Sequence, residues 1–335
     1  MSSLLSVRDL RVRFRLPGSL LSRSGKKPAH VDVVHGVSLD IERGQTIAIV
    51  GESGSGKTTL AMALCGLAPV LGGEVYFNGR KLDRGKNSRL NPDRKKVSLM
   101  FQDPVGSLSP RMTIRQALAE PFLIHRTGEK NPEEQALRLL SLVGLNEELA
   151  DRYPHQLSGG QARRVGVARA VALNPDLLIA DEPTAGLDVS IQGEVLNLLA
   201  RLQQDMGLGI MLITHNLNVV RHMADQMAVM YLGRFVEQGD SEKIFKRHRH
   251  PYTAALLSAN PCLDPELRLD RIELTGEVPS LLQRPAGCEF NTRCPRVQER
   301  CQLSFPETTT DADGHTFKCF YPIGQAIEDP PYPSN

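Results

Sequence analysis

Thr46-Ile47-Ala48-Ile49-Val50-Gly51-Glu52-Ser53-Gly54-Ser55-Gly56-Lys57-Thr58 passes from an apolar run into a glycine-rich loop. A short run with no polar interruption is the mark of a strand buried on both faces, as parallel sheets require. The residues that follow fit G-x-x-x-x-G-K-[ST], and Leu60-Ala61-Met62-Ala63-Leu64 beyond them are helix formers. A loop in that position presents backbone N–H groups and a helix N-terminus to phosphate. Gly51, Ser53, Gly54, Ser55 and Gly56 let the chain curl round a β-phosphate, Lys57 adds a cation at the β and γ oxygens, and Thr58 offers its hydroxyl to Mg²⁺. Thr59 completes the set expected to bind the nucleotide.

Working outward, Leu177-Leu178-Ile179-Ala180-Asp181-Glu182 is an apolar strand ending in two acids. Asp181 is expected to bind Mg²⁺ through water and Glu182 to polarise the attacking water, because positioning and electrostatics supply most of the catalysis in phosphoryl transfer. Gln102 follows the strand Val97–Phe101 and can reach Mg²⁺ or the water, and His215 follows Ile210–Thr214 and can reach the γ-phosphate. Glu182, His215 and Gln102 are thus the candidate catalytic residues, with Thr58, Gln102 and Asp181 the candidate Mg²⁺ ligands. Between loop and acids stands Leu157-Ser158-Gly159-Gly160-Gln161, a second phosphate-binding helix start that its own site cannot use. Two copies are therefore expected to meet across shared ATP.

Strands and helices alternate over the first 245 residues: strands over Leu4–Phe14, Val33–Ile41 and Gly73–Phe77, helices through most of 106–157, a helix from about Ser190 to Gln204, and a strand pair around Ala228–Val236. Pro17–Pro28 reads as an exposed loop. The pattern predicts an α/β fold with a mainly parallel sheet. From about residue 245, Pro251, Pro261, Pro265, Pro279, Pro285, Pro295, Pro306 and Pro322 punctuate a loop-rich segment whose own core is too thin to stand unaided. Lys and Arg number 40 against 38 Asp and Glu, a net charge of +2 that argues against a general nucleic-acid surface. Without an apolar run of roughly 18 residues or a secretory signal, the chain is expected to be soluble and cytoplasmic. Five of the six cysteines fall in the last quarter. Cys288, Cys294, Cys301 and Cys319 suggest Zn²⁺ or an iron–sulfur cluster, with unligated thiols the remaining alternative, while Cys65 reads as packing and Cys262 as incidental.

Taken in order, Gly51–Thr58, Gln102, Leu157–Gln161, Leu177–Glu182, Asp188 and His215 resemble the motifs of the ATP-binding subunits of ABC transporters, over about residues 4–245. Phe101-Gln102-Asp103-Pro104 with Ser107–Thr113, and His250-Pro251-Tyr252-Thr253 with Ala255-Leu256-Leu257, are similar to the oligopeptide, dipeptide and nickel importer branch. The resemblance implies a P-loop NTPase, RecA-like, with an antiparallel β subdomain, a helical insert at about 106–157 in a domain spanning 1–245, and a small Cys-containing extension over 246–335. It implies that Ser158, Gly159, Gly160, Gln161 and Asp188 of one subunit complete the ATP site of an identical or homologous one. It further implies two integral membrane permease subunits, an extracytoplasmic solute-binding protein, a position on the cytoplasmic face of the cell membrane, and a [4Fe–4S] cluster on the four tail cysteines, with Zn²⁺ the alternative. The implied activity is ATP hydrolysis powering import of di- or oligopeptides. Another solute such as nickel, a glycoside or an opine-like compound is the alternative, and a soluble, non-transport ATPase of the same class is disfavoured by the single ATP-binding unit. Val105, Leu108 and Met112 are candidate membrane-subunit contacts or core residues of the insert. Two departures are Ala185-Gly186-Leu187-Asp188, where the family commonly has Ser-Ala-Leu-Asp, and Asn216 after His215. Phe14 and His30 are candidates to stack on adenine, a role left unassigned.

Overall fold

The computed structural model describes residues 3–16, 30–82, 95–103, 106–128, 131–260 and 271–324. The 17–28 loop, Val105 and Cys262 lie outside them. β1 (Leu5–Arg15), β2 (His30–Ile41), β4 (Val70–Phe77) and β5 (Arg80–Lys81) form an antiparallel sheet in the order β2-β1-β4-β5. The larger sheet comprises β3 (Thr46–Val50), β6 (Val97–Met100), β7 (Leu177–Asp181), β8 (Gly209–Ile213), β9 (Gln226–Tyr231), β10 (Arg234–Asp240), β11 (Thr309–Thr310) and β12 (Thr316–Phe317), in the order β11-β12-β10-β9-β3-β8-β7-β6. It is parallel from β9 through β3, β8 and β7 to β6, and antiparallel from β9 outward to β11. β3 thus lies between β8 and β9, and a loop leaving its C-terminal end opens where α/β sheets hold ligands.

The strand period of two divides the apolar runs between separate cores. Ile47, Ile49, Leu177, Ile179, Met211 and Ile213 face the antiparallel sheet, packing with Val7, Val12, Val34 and Phe77 and with Leu60 of α1 (Lys57–Leu64). From the other face, Leu178, Ala180, Ile210 and Leu212 meet Val165 and Val167 of α4 (Gly159–Val171) and Val195 and Leu199 of α5 (Val189–Met206). With both faces covered, no position in β3, β7 or β8 is left for a polar side chain facing water, so each reads as an uninterrupted run.

α2 (Ile114–Ile124) and α3 (Pro132–Leu142) begin where local chemistry directs. Thr113 and Gln116 form a reciprocal capping box, and Asn131 caps α3 with Pro132 in its first turn. Their apolar faces, Ile114, Leu118, Ala136 and Leu140, join the α4 and α5 core. Beyond β9 the chain forms α7 (Ser241–Arg247) and α8 (Pro251–Ser258), preceded in sequence by α6 (Leu217–Met223) between β8 and β9.

The tail, with α9 (Glu299–Leu303), β11 and β12, draws its core from the body. β12 pairs antiparallel with β10, matching Glu237 with Phe317. Buried Phe290 meets Tyr231 and Tyr252, each with ring centroids 5.3 Å away, and Tyr231 and Tyr252 stand 4.7 Å apart. Aromatic burial of this kind supplies what a 271–324 segment lacks by itself.

Candidate functional site: a phosphate loop facing two acids

The loop 51–56 is shaped by glycine where no other residue fits. Gly51 has φ +153°, and a Cβ there would lie 2.2 Å from the Met230 carbonyl oxygen. Gly56, at φ +103°, would bring a Cβ to 2.9 Å from the Val33 carbonyl oxygen. Lys57 opens α1, and its Nζ donates to the carbonyl oxygens of Gly51 and Glu52, both at 2.8 Å, and to Ser55 Oγ at 3.2 Å. Burial pushes this ammonium below its ordinary pKa, against the attraction of Glu182, Asp181 and Glu52. A buried cation facing carboxylates and ringed by backbone oxygens suits a polyanionic ligand. Ser53, Gly54 and Thr58 are exposed at the mouth, and Thr59 is half-buried behind them.

Asp181, at the end of β7, is buried. Burial raises its carboxyl pKa, a bond from the Thr58 hydroxyl opposes this, and neighbouring Glu182 raises it further. A hydroxyl beside a buried carboxylate supplies hard oxygen donors, so Thr58 and Asp181 fit Mg²⁺, which would neutralise the crowded charge. Glu182 takes the left-handed conformation at φ +49°, and its amide donates to the Ile213 carbonyl oxygen at 2.8 Å. That turn brings Glu182 Oε1 within 2.7 Å of His215 Nδ1, so the neighbouring ends of β7 and β8 place the acid and the histidine together. Lys57, Thr58, Asp181, Glu182 and His215 therefore share one end of the parallel sheet.

Gln102 follows β6 on an exposed segment, and its carbonyl oxygen accepts from Arg163 Nη1 at 2.7 Å. The same guanidinium donates to the Ala185 carbonyl oxygen at 2.8 Å and reaches that of Glu182 at 3.5 Å. Arg163 is thus a buried tie from α4 to Gln102, to Glu182 and to the loop after the acids. Sequence reading passed over it: Arg163 and Arg164 are adjacent, and only the helical phase turns one inward.

Ser158, Gly159, Gly160 and Gln161 form the start of α4. Ser158 caps α4, accepting from the Gln161 amide at 3.3 Å, while Gln161 Oε1 accepts from the Ser158 amide at 3.0 Å. Ser158 and Gly159 are exposed, and a Cβ on Gly160 would meet Ile191 Cγ2 at 2.9 Å. Asp188 caps α5 through the Ile191 amide at 3.0 Å, also at the surface. Of the two adenine candidates, Phe14 packs partly into the core between the sheets, and His30 is exposed at the start of β2.

Leu108 is buried in the core of the helical insert, which settles its role as packing, and Met112 is half-buried. Exposed apolar side chains lie elsewhere: Phe101 and Ile124 line a groove with Glu120, His125 and Arg169, and Leu123 is exposed beside it. Sequence periodicity could not separate these from core positions on the same helix.

Cys288, Cys294, Cys301 and Cys319 line one small cavity with Phe290 and His250. Burial pushes the thiols of Cys288 to about 11 and of Cys294 and Cys319 to about 12. Among the described residues, no three His, Cys, Asp or Glu side chains are grouped to hold a metal ion, so the thiols are not gathered into the Zn²⁺ or iron–sulfur site expected from the sequence. Cys65, expected as packing, is half-buried against the core between the sheets.

Residues 34–185 match the family model of the ABC transporter, and residues 236–301 match that of the oligopeptide/dipeptide transporter C-terminal region. The dipeptide transport ATP-binding protein DppF of Haemophilus influenzae is 45% identical over 88% of this chain and 90% of its own length. DppF of Escherichia coli is 47% identical over 87% of each chain, and the oligopeptide transport ATP-binding protein AppF of Bacillus subtilis 41% identical over 95% of this chain and 97% of its own. Among solved structures, the dimeric ATP-binding cassette MJ0796 bound to ADP and Pi superposes with a TM-score of 0.62 at 27% identity, covering 71% of this chain and 98% of that one. A phosphate loop and two acids at one sheet end, with these relatives, define a P-loop ATPase, and the chain hydrolyses ATP. It belongs to the ATP-binding subunits of ABC transporters, in the branch that carries the oligopeptide/dipeptide transporter C-terminal region.

Proposed function

We propose that this ATPase powers binding-protein-dependent import of di- or oligopeptides as a peripheral subunit on the cytoplasmic face of the membrane. The observation that carries the substrate class is the match of residues 236–301 to the peptide-transporter C-terminal region, together with relatives that are themselves dipeptide and oligopeptide transport proteins. Among the described residues no helix is long and apolar enough to cross a membrane, so the spanning part falls to permease partners. The groove carrying Phe101 and Ile124 adjoins Gln102 and would receive them, so that docking and the nucleotide site share one segment.

Within the reading, two ATP-binding subunits pair head to tail. Ser158 and the Gly159 and Gly160 amides of one close on the γ-phosphate over Lys57 of the other, with Asp188 at the same interface. Support comes from the exposure of the α4 start and from its bonds, which run to Gln161 within its own capping box. ATP then acts as the shared ligand, and its hydrolysis lets the pair open. Glu182 accepts a proton from the attacking water, His215, paired with Glu182, reports the γ-phosphate, and Gln102 reaches Mg²⁺ or the attacking water.

A [4Fe–4S] cluster on Cys288, Cys294, Cys301 and Cys319 belongs to the same reading. Its support is the four thiols lining one cavity, the donor type that such a cluster needs.

The test is reconstitution in vesicles with two permease subunits and a solute-binding protein. Peptide-loaded binding protein should stimulate hydrolysis, and stimulation by a nickel- or glycoside-loaded protein alone would reassign the solute. Protein held strictly monomeric should lose turnover; full activity there would end the shared-site reading.

A further inference from the structure

One arginine of the tail bonds the phosphate loop directly, and a second braces it through a neighbouring turn. Arg293, one residue before Cys294, donates to Glu52 Oε2 from Nη1 at 2.7 Å and to Oε1 from Nη2 at 3.0 Å, a bidentate pair. The guanidinium side chain is 7% exposed and that of Glu52 26%, so the contact is largely withdrawn from water. Glu52 is the second residue of the loop. Its carbonyl oxygen accepts from Lys57, and its amide donates to the hydroxyl of buried Tyr252 at 2.9 Å. Every polar part of Glu52 is thereby fixed, and two of its partners come from beyond residue 245. A second line runs in parallel: Arg284 donates to the carbonyl oxygens of Leu232 and Asp32, both at 2.6 Å, and the next amide, Gly233, donates to the Ser55 carbonyl oxygen at 2.8 Å. Phe290, packed on Tyr231 and Tyr252, also lines the four-thiol cavity, so this scaffold and the cysteines are one unit.

We infer that Arg293 is a positioning residue for ATP binding: through Glu52 it holds the phosphate loop in its binding shape and makes nucleotide affinity depend on the folded tail. The inference rests on the ATP-site reading and adds to it a role for the extension. A loop free to uncurl must be reordered by each ATP, whereas a preorganised loop binds without that cost. Both of its guanidinium bonds to the loop go to the Glu52 carboxylate, so Arg293 acts on the loop's shape through that side chain.

Charge alone and preorganisation predict opposite results for one substitution. Near a polyanion, removing the Glu52 carboxylate should tighten binding if only electrostatics matter. If the latch shapes the loop, Glu52→Gln weakens it. The experiment measures affinity for the non-hydrolysable analogue AMP-PNP by titration calorimetry, and KM and kcat for ATP, on the full chain. Arg293→Ala and Glu52→Gln should each raise the Kd for AMP-PNP about tenfold, and the pair together no more than either alone. KM should rise in parallel while kcat at saturating ATP stays within about twofold, and Arg293→Lys should recover part of the loss. If Arg293→Ala fails to fold, Glu52→Gln reads the same latch from the loop side. Unchanged or tighter binding by Glu52→Gln, or additive losses in the double variant, overturns the inference. Failure of the unaltered protein to bind AMP-PNP would strike the ATP site itself.

Discussion

Arg163 Nη1 donates to the carbonyl oxygen of Gln102 at 2.7 Å, joining the helix that begins at Ser158 to the segment that enters the helical insert. Because the same side chain also bonds the Ala185 carbonyl oxygen, three separately encoded motifs meet on one guanidinium. Burial pushes its pKa below the ordinary value, and the charges of Asp103 and Glu182 oppose this only in part. Arg163→Ala leaves the carbonyl oxygens without a donor and should cost about 3 kcal/mol of stability. Urea unfolding measures it; a midpoint shared with the parent protein would mean that water replaces the guanidinium without loss.

Glu182 and His215 make a second pair, Oε1 to Nδ1 at 2.7 Å. Glu182→Gln preserves the shape and removes the base, so hydrolysis should fall about 10²–10⁴-fold while ATP still binds. Gel filtration with ATP should then show a trapped dimer. Normal turnover in that variant would remove Glu182 from the base role.

Gly51→Ala tests the backbone. The added Cβ meets the Met230 carbonyl oxygen at 2.2 Å in a conformation closed to L side chains, so loop or strand must move. The expected strain, about 1–3 kcal/mol, should weaken ATP binding about tenfold to a hundredfold without loss of secondary structure by circular dichroism. An affinity equal to the parent's would show that the loop has slack at this point.

Buried Glu237 fastens the tail to the body, accepting from the Arg249 amide at 2.5 Å and the His250 amide at 2.9 Å, with His315 Nε2 2.8 Å away. Burial alone would raise its pKa, but bonds from His315 and the two amides prevail and hold it below the ordinary 4.5. His248 also faces it electrostatically. A depressed carboxyl contributes stability that is complete above the unfolded value and fades as pH falls through the folded one. Stability from this group should therefore decline on acidification below about pH 4.5, and Glu237→Gln should flatten that limb while lowering stability at pH 7. Urea midpoints from pH 7 down to 3 measure both, and parallel curves for the two proteins would contradict the assignment.

Anaerobically purified protein should be brown and carry about 4 Fe per chain, and Cys301→Ser should lose the colour. A colourless, zinc-containing protein would overturn the cluster.

Strands β3, β7 and β8 were legible because burial on both faces writes a continuous apolar run. The helix start at Ser158 was legible because a cap is local, whereas those at Thr113 and Asn131 were covered only by the expectation of helices through most of 106–157. Leu108 was not: an apolar residue at a helical phase looks the same whether it faces core or partner, and here it faces the core. Nor was the outer groove, because Phe101 and Ile124 come together only once the insert folds back on β6.

The chain's sequence by itself determined the chemistry: a glycine loop ending in Lys57, the acids Asp181 and Glu182, and a helix start at Ser158 are local patterns whose function follows from residue type and spacing. Only the tertiary structure decided what holds that chemistry in place. Arg163 on Gln102 and Arg293 on Glu52 join residues 61 and 241 positions apart. Such pairings depend on how sheets and helices pack, and no pattern along the chain encodes the distance between two side chains that meet only after folding.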